Sequence, residues 1–421
     1  MRRLGFFLDQ WAILKSLISG GTWLFISNAI GALVGTIVFF FVARFITPAE
    51  YGLYAAIVGG VQFVMAALGG GLATWSTRHL SVSLEDSRWL LPLVLKWYAM
   101  LLAAIPPLVL IASLSFGLRV GLAIAASLVS IQVIVRAATD GVGSYLIATG
   151  RLGQIAQAYI LEAILLGFLV TGLVASGFGV LGIAIGGLIA TSGRAGLIWR
   201  HTRNRLTFQS GTGEIGVVGL LRQSAGLWMI QVIYALGGRL QPLSIGSQSL
   251  ALAGLYVAGL KFVDSSQLMV SPLTPVLLPL LSRSRHNPTA LRGMIAAAML
   301  VMIGVAIGAG TLLIVFGDRI VRFLLGEQYV SLVPAMPMIA LLVLITLVAQ
   351  VASVSLIALN MDRFITGTVG IAALSILIGL AVLAQLGEVW MLFGYSSLVS
   401  TITLSVWLVT IWRHTTELND N

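Results

Sequence analysis

The residues of this sequence that could do chemistry are charges placed inside long apolar stretches. A charged side chain at the centre of a membrane helix costs roughly 2.5–3.5 kcal/mol, so each one requires a partner, a water-filled cavity or a function. We single out Lys96, Arg136, Asp140, Glu162, Arg239, Lys261 and Asp264. The basic side chains could bind an anion, and the carboxylates Glu162, Asp140 and Asp264 could load a proton or a sodium ion.

Two pairs of these charges each share one helical face. Arg136 and Asp140 are four residues apart, and Lys261 and Asp264 are three apart, which are the spacings of neighbours on a helix surface. Each pair either neutralises itself or serves a substrate or a coupling ion, and the sequence leaves both interpretations open. Glu162 stands alone in its stretch, so it is either a coupling carboxylate or a hydrogen-bonded packing residue.

Three basic residues outside these pairs, Arg239, Arg44 and Lys96, have local surroundings that suggest a role. Arg239 lies in Gly-Gly-Arg-Leu-Gln-Pro at 237–242, where glycine and proline weaken a helix. Broken membrane helices occur where the backbone lines a cavity, which predicts a substrate-facing Arg239. The alternative is an arginine that reaches the outer headgroups. Arg44 and Lys96 lie near the ends of their stretches and are interpreted first as interface anchors.

The composition indicates that lipid is the main solvent of this chain. It is 58% hydrophobic and 9% charged, with a mean hydropathy of +1.03, whereas soluble domains carry roughly 25% charged residues. The absence of cysteine excludes disulfides, thiolate metal sites and cysteine nucleophiles. The net charge of +10 lies largely in the segments between apolar stretches, which favours a role in membrane orientation over nucleic-acid binding.

Several enzyme classes lack their required residues. A P-loop needs Gly-Lys, but each of the three lysines follows leucine. Neither His-Glu-x-x-His nor Gly-x-Ser-x-Gly occurs. An ATPase or a metallohydrolase is therefore not expected, and neither is a cofactor.

Twelve apolar stretches are long enough to cross a bilayer core of about 30 Å as helices. They are 22–43, 51–73, 91–114, 120–148, 153–175, 179–199, 224–245, 250–281, 293–316, 335–359, 364–386 and 391–412. The predicted fold class is an all-α polytopic membrane protein of about 12 transmembrane helices. Three small-xxx-small pairs predict close helix approach: Gly31/Gly35, Gly182/Gly186 and Gly304/Gly308.

Basic residues occupy every second loop, and by the positive-inside rule both termini are cytoplasmic. The chain is expected in the cell (inner or cytoplasmic) membrane. The predicted boundaries are an N-terminal interfacial segment at 1–21, a six-helix bundle at 22–200, a basic linker at 201–223, a second bundle at 224–412 and a tail at 413–421. An unstructured tail is the alternative for residues 1–21.

Short internal matches indicate that the two bundles are parallel repeats. Gly52-Leu53-Tyr54 opens the second stretch and Gly254-Leu255-Tyr256 opens the eighth. Leu146-Ile147-Ala148 closes the fourth and Leu356-Ile357-Ala358 closes the tenth. Because each half has an even number of spans, the repeat is parallel, a plan found in alternating-access carriers.

Three segments carry a resemblance to a known family. ARFITPAEYGLYAA at 43–56, YLIATGRLGQ at 145–154 and the segment 252–283 resemble the polysaccharide (O-antigen-type) flippases of the multidrug/oligosaccharidyl-lipid/polysaccharide exporter superfamily. The resemblance implies a flippase, working without ATP hydrolysis, that moves polyprenyl-diphosphate-linked oligosaccharide to the outer leaflet. It also suggests as partners the lipid bilayer, a polysaccharide polymerase or chain-length machinery, and H+ or Na+, with no nucleic acid.

For such a substrate, Arg239, Lys261, Arg44 and Arg136 are the candidate diphosphate ligands, because guanidinium groups pair bidentately with phosphate. An ion-coupled multidrug exporter is the first alternative, and it would be expected to use carboxylates for organic cations. A membrane polysaccharide polymerase is the second. The loop predicted at 317–334 offers it only Asp318 and Glu327.

Overall fold

The residues described by the computed structural model are α-helical, with short turns and 3-10 segments between the helices. They are residue 23 and residues 26–203, 216–270, 277, 281, 288–359 and 361–420, and no strand occurs among them. In lipid, a helix satisfies its backbone hydrogen bonds within its own segment, so an apolar chain of this kind folds as helices. The predicted all-α class is confirmed. The interfacial segment at 1–21 and much of the linker at 201–223 lie outside the described residues.

The helices follow one another closely along the chain. They are α1 (Ile26–Ala43), α2 (Pro48–Gly69), α3 (Leu72–Val82), α4 (Ser87–Ser115), α5 (Val120–Ala148), α6 (Leu152–Leu173), α7 (Gly179–Thr202), α8 (Val217–Gly238), α9 (Gln241–Gly246), α10 (Leu250–Val270), α11 (Pro288–Leu324), α12 (Met336–Ala358), α13 (Asp362–Leu383) and α14 (Val389–Asp420).

Nine helical segments within the described ranges are long and apolar enough to cross a membrane. One of them, Leu152–Thr202, contains both α6 and α7, joined by a π-helical turn in which Gly177 has a φ of 88°. Only glycine adopts such a φ without strain, which explains the residue at this turn. Helices α8 and α10, of 22 and 21 residues, match the remaining two predicted stretches.

Several predicted segment ends were wrong, among them both ends of the seventh stretch, predicted at 224–245, because α8 runs from Val217 to Gly238. The second stretch does not stop near 73, because after a break at Gly70 and Gly71 the chain continues as α3 to Val82. The outer loop predicted at 317–334 is largely helical: α11 continues to Leu324 and Glu327–Ala335 forms a 3-10 helix. Gly326, with a φ of 93°, separates these two helices.

The break between α2 and α3 leaves backbone carbonyls without helical partners, and tryptophans satisfy two of them. Trp97 Nε1 donates to the carbonyl of Leu68 at 3.1 Å, and Trp228 Nε1 donates to that of Ala67 at 2.7 Å. An unsatisfied carbonyl is costly in an apolar medium. The two indoles therefore stabilise a broken helix inside the membrane.

The ends of α5 and α12 have the same local geometry. Arg151 N donates to Leu146 O at 2.8 Å, and Met361 N donates to Leu356 O at 3.0 Å. The next helix begins at Leu152 in the first case and at Asp362 in the second. The repeated Leu-Ile-Ala tripeptides thus end two helices with the same hydrogen bond.

Contacts divide the chain into two compact units. Unit 1 comprises Met1–Phe45 and Val64–Val232, and unit 2 comprises Ile46–Phe63 and Ile233–Asn421. Helix α2 therefore begins in unit 2 and ends in unit 1. The domain boundaries inferred from the sequence stay a prediction.

The glycines of the two Gly-Leu-Tyr copies pack against each other in unit 2. A Cβ on Gly52 would lie 1.9 Å from Leu250 O and 2.7 Å from Gly254 N, and a Cβ on Gly254 would lie 1.8 Å from Pro48 O. Helices α2 and α10 therefore cross at backbone contact, which only residues without a side chain permit. The repeat is a packing feature as well as a sequence match.

Of the three small-xxx-small pairs, one makes a tight contact within the described residues. A Cβ on Gly182 or Gly186 would lie about 3 Å from atoms of α6, at 3.1 Å and 2.9 Å respectively. Among the described residues, no atom lies within 4 Å of a Cβ added to Gly31, Gly35, Gly304 or Gly308. The prediction of close approach was therefore wrong for these two pairs, because glycine spacing does not reveal which face meets a helix.

Gly254→Ala is expected to destabilise the protein, because the added methyl group cannot be accommodated against Pro48 O without moving α2 from α10. Overpacking of this kind costs about 1–3 kcal/mol. The thermal unfolding midpoint of detergent-purified protein should fall clearly below that of the wild type. Gly304→Ala is the matched control, because its methyl group meets open space. Equal midpoints for the two variants would contradict the proposed contact.

Candidate functional site

Three charged side chains meet in the interior of unit 1, and each belongs to a different helix. Asp140 lies on α5, Glu162 on α6 and Arg194 on α7. Arg194 donates from Nη1 to Glu162 Oε2 at 3.0 Å, and its Nη2 pairs with Asp140 Oδ1. Thr191 Oγ1 donates to Glu162 Oε1 at 3.1 Å. We call Arg136, Asp140, Glu162, Thr191 and Arg194 the charge cluster.

Arg194 is the most deeply buried charge of this cluster. It is 2% exposed, and its guanidinium carbon lies 4.2 Å from the centroid of the Tyr159 ring. An unpaired guanidinium in such a place would carry a penalty of several kcal/mol, which the two carboxylates and the aromatic face offset. Arg194 therefore ties α5, α6 and α7 together.

Sequence reasoning missed Arg194. It lies in Ser-Gly-Arg-Ala-Gly at 192–196, close to the basic end of its stretch at Arg200, and so resembles an interface residue. The signal that could have found it is its distance from the helix end: Arg194 precedes Thr202, the last residue of α7, by eight positions, or about 12 Å along a helix. Arg194 therefore lies more than two turns from the end of its helix.

The structure changes the pairing expected from the sequence. Glu162 does not stand alone, because it binds Arg194 and Thr191. Asp140 pairs with Arg194 rather than with Arg136. Arg136 approaches Glu162 instead, with 3.8 Å between Nη1 and Oε1, and its side chain is 56% exposed. This separation is too long for a hydrogen bond, so Arg136 is the least committed charge of the cluster.

Two cavities of unit 1 meet at the charge cluster. The α1-side cavity has a volume of about 420 Å³, and its polar lining residues are Ser27, Asn28, Arg136, Asp140, Tyr159, Glu162 and Arg194. The α3-side cavity has a volume of about 510 Å³, and its polar lining residues are Thr74, Thr77, Arg78, Thr139, Asp140, Tyr159 and Arg194. Asp140, Tyr159 and Arg194 line both, and Arg136 lines only the first.

Two further sequence candidates lie together on α10 in unit 2. Lys261 Nζ is 3.5 Å from Asp264 Oδ2, and the side chains are 35% and 60% exposed. The pair is therefore formed but accessible, and exposed pairs of this kind contribute little to stability. Arg239 is exposed and lies between α8 and α9, where the sequence predicted a broken helix.

A buried polar network holds this broken helix, and sequence reasoning missed it. Gln241 Nε2 donates to the carbonyl of Gly237, and Gln241 Oε1 accepts from Tyr256 OH at 3.2 Å. Tyr256 OH also lies 3.0 Å from Ser396 Oγ. Tyr256 belongs to the second Gly-Leu-Tyr copy, so the repeated tripeptide supplies both the close helix contact and a bond to the break.

The remaining sequence candidates are exposed. Arg44 lies in the turn after α1, and Lys96 lies on α4. In the described part of the chain, no group of three or more His, Cys, Asp or Glu side chains could hold a metal ion. The functional roles assigned from the sequence to Arg239, Lys261, Arg44 and Arg136 stay predictions.

Arg194→Met is expected to destabilise the protein by about 3–5 kcal/mol, because it leaves the buried Glu162 carboxylate without its hydrogen-bonded cation and Asp140 without its ion pair. The triple variant that adds Asp140→Asn and Glu162→Gln should recover much of this loss, since it removes the unpaired charges. Thermal unfolding of purified protein measures both effects. Arg136→Gln is the matched control and should change the midpoint little. An Arg194→Met variant as stable as the wild type would contradict the proposed role of Arg194 in holding α5, α6 and α7 together.

Solved structures of the multidrug and toxic-compound transporters share this fold. An inward-facing MATE family transporter of the MOP superfamily gives a TM-score of 0.73 at 13% identity, covering 93% of this chain and 96% of that chain. An outward-facing one gives 0.63 at 15% identity, covering 97% of both. A MOP superfamily transporter from Pyrococcus furiosus Vc1 gives 0.58 at 13% identity, covering 96% of both, and reverse polarity of its binding pocket is described as suggesting a different function.

At these identities the structural likeness shows the fold alone. Comparison with curated proteins gave no match. The family comparison matches residues 41–334 to the polysaccharide biosynthesis proteins. Because this match covers well over half of the sequence, the chain is a multi-pass membrane protein that belongs to the polysaccharide biosynthesis protein family.

Proposed function

We propose that this protein is a flippase that moves polyprenyl-diphosphate-linked oligosaccharide from the cytoplasmic to the outer leaflet. The observation that carries the proposal is the exposure and position of the Arg136 side chain. Its side chain is 56% exposed and lines a cavity of about 420 Å³ in unit 1, while both nearby carboxylates bind Arg194. An exposed and weakly committed arginine at this depth suits an anionic substrate.

The chemistry of the substrate explains why arginine is suitable. A diphosphate presents several anionic oxygens beside sugars that cannot cross hydrocarbon unaided. Guanidinium binds such oxygens bidentately and is less strongly hydrated than ammonium. We assign Arg136, Arg239, Lys261 and Arg44 as candidate ligands of the diphosphate. Arg239 supports this assignment because it is exposed at a helix break and has no ion pair among the described residues.

The carboxylates are the candidates for ion coupling. Glu162 and Asp140 line the α1-side cavity, and Asp264 is 60% exposed beside Lys261. A proton or a sodium ion that binds one of them would change the charge of the site during the transport cycle. The transport cycle in this proposal is alternating access in the cytoplasmic membrane, with both termini cytoplasmic.

A multidrug exporter is the competing function, because the transporters of known structure include that class. The reverse polarity described for the Pyrococcus furiosus pocket supports the idea that charge sets the substrate class within this fold. In this chain, the exposed side chains of Arg136 and Arg239 within predicted membrane stretches favour an anion over an organic cation. Family membership points to a glycan-bearing substrate in the same way.

Liposomes that contain the purified protein and a fluorescent polyprenyl-diphosphate oligosaccharide test the proposal. An impermeant quencher reports how much label reaches the opposite leaflet. We expect protein-dependent movement that Arg136→Gln slows by about tenfold or more, the effect of losing one charged hydrogen bond of roughly 1.5–3 kcal/mol. Arg239→Ala is expected to slow it similarly.

Arg88→Gln is the matched control, because Arg88 is exposed and lines neither cavity. Movement that is equal in Arg136→Gln and Arg88→Gln would remove Arg136 from the site. The absence of movement under an imposed ion gradient, combined with efflux of cationic dyes, would replace the flippase with the drug exporter.

The polymerase alternative has its own test. Asp318 and Glu327 both bind Arg322, with Asp318 Oδ1 2.9 Å from Arg322 Nε. Two carboxylates that both pair with one arginine at the end of α11 favour a structural role over a catalytic one. The double variant Asp318→Asn, Glu327→Gln should therefore retain most glycan movement in the liposome assay. Loss of polysaccharide synthesis with normal movement would instead support an enzyme.

A further inference from the structure

One arginine of unit 2 is held between two helices, at the end of the unit that the positive-inside rule assigns to the cytoplasm. Arg292 lies near the start of α11, and the residues that it contacts lie near the end of α14. Its Nε donates to Thr415 Oγ1 at 3.0 Å. Its guanidinium carbon lies 5.0 Å from the centroid of the Trp412 ring. These two contacts fix the position of the guanidinium.

The two contacts orient Arg292 without neutralising it. Thr415 is 0% exposed, and its hydroxyl donates to the backbone carbonyl of Ile411 at 2.9 Å. The hydroxyl proton is therefore already used, and Thr415 Oγ1 serves Arg292 as an acceptor. Because neither threonine nor tryptophan carries a charge, the guanidinium keeps its full positive charge beside them.

No carboxylate meets this guanidinium within the described ranges. Arg194 and Arg322, by contrast, each pair with two carboxylates. Residues 271–287, which precede α11, contain no aspartate or glutamate. Arg292 is half-buried, and a partly desolvated cation without an anion is costly. Its Nη2 is enclosed without an acceptor, which leaves Nη1 as the nitrogen that can meet an external oxygen.

Two more arginines lie at the same end of unit 2. The start of α11, the start of α13 and the end of α14 meet in one buried apolar cluster, to which they contribute Leu291, Ile365 and Ile411. Arg363 and Arg413, each two residues from a member of this cluster, are exposed. Neither has an ion pair with a side chain that the structure describes. The arginines at this end therefore create a positive potential that suits an anion.

An exposed apolar face of α14 leads to Arg292. Leu398, Ile402, Val409 and Trp412 recur at helical spacing, and more than half of each side chain is exposed. On a membrane helix, such a face is suited to contact with acyl chains. Trp412 lies about one turn beyond Val409 and ends this face, and tryptophan is enriched at the level of the headgroups. The guanidinium beside Trp412 is therefore placed where lipid phosphates lie.

We propose that Arg292, Trp412 and Thr415 form a binding site for the phosphate of an anionic membrane phospholipid, which we call the headgroup site. The phosphate pairs with the guanidinium, and an acyl chain lies along the exposed face of α14. The positive charge at this end favours an anionic lipid over a zwitterionic one. The headgroup site lies within unit 2 and does not depend on the proposed flippase function.

Native mass spectrometry of the detergent-purified full chain, titrated with phosphatidylglycerol or phosphatidylcholine, tests the headgroup site. We expect the wild type to bind phosphatidylglycerol more tightly. Arg292→Gln should weaken this binding about fivefold, the effect of one basic residue near an anionic surface, and should leave phosphatidylcholine binding unchanged. Trp412→Leu should also weaken phosphatidylglycerol binding, because it removes the ring that orients the guanidinium.

Two matched controls separate the headgroup site from general effects. Arg151→Gln removes another half-buried arginine on the same predicted side, one that contacts no tryptophan within the described residues. Trp199→Leu removes a tryptophan that is 41% exposed near the end of α7. Both should bind phosphatidylglycerol like the wild type. Equal binding by Arg292→Gln and Arg151→Gln would overturn the proposal.

A second variant keeps the test decisive if Arg292→Gln does not fold. Thr415→Val retains the charge and removes only the acceptor of Arg292 Nε, so it should weaken phosphatidylglycerol binding by a smaller factor. The thermal unfolding midpoint of each variant shows whether it is folded. Thr415→Val that is folded and binds phosphatidylglycerol like the wild type would contradict the role of Thr415 in the headgroup site.

Further probes decide the occupant. A sugar-free polyprenyl diphosphate that displaces phosphatidylglycerol, with the same dependence on Arg292, would assign the site to the transported substrate and overturn our choice. Displacement by inorganic phosphate would assign it to a free anion. Equal binding of phosphatidylcholine and phosphatidylglycerol to the wild type would remove the role of charge. Lipid binding is measured without transport, so this result is independent of the liposome assay.

Discussion

The pairing of charge inside the membrane is the constraint on which unit 1 depends. A guanidinium buried to 2% exposure can exist only where anions meet it, and here Arg194 receives one carboxylate from α5 and one from α6. Helix association in lipid gains little from burying apolar surface. A charged contact of three helices therefore specifies how these helices are arranged in a way that apolar packing alone cannot.

Polar backbone groups in these helices also require partners. Both broken helices occur where side chains supply the hydrogen bonds that the helix has lost: Trp97 and Trp228 at the end of α2, and Gln241 at the end of α8. The tryptophan donors belong to unit 1, and the glutamine network belongs to unit 2. Each unit thus contains a helix that is interrupted at a fixed place and held there by specific donors, rather than by general flexibility.

Much of the fold followed from the sequence because lipid leaves few options. A stretch of about 20 apolar residues must be helical, so the class and the approximate spans were correct. Helix ends were less well placed: α11 continues through Asp318, which pairs with Arg322 four residues later on the same face. A hydropathy pattern places the end of a helix at the first charged residue, although a charged residue that has a partner can lie within the helix.

Partners across helices could not be derived from spacing along one helix. The sequence singled out Asp140 and Glu162, but each was considered only within its own stretch. Arg194, which is 54 and 32 positions away from them, was therefore missed. Tyr256 was missed for the same reason, since its bond to Ser396 spans 140 positions. The role of a glycine could not be predicted for the same reason: Gly52 contacts a helix, whereas Gly31 contacts none among the described residues.

The charge cluster also connects the two roles proposed for it. Arg136 and Arg194 face Asp140 and Glu162, so the cluster is close to neutral before any substrate binds. A diphosphate at Arg136 would add negative charge beside Glu162, and in a medium of low dielectric constant such a surplus is costly. In the proposed flippase, a compensating cation or proton at the carboxylates would lower that cost. By linkage, an ion whose binding raises the affinity for the diphosphate must itself bind more tightly when the diphosphate is present. Substrate binding and ion binding are therefore electrostatically coupled at the same site.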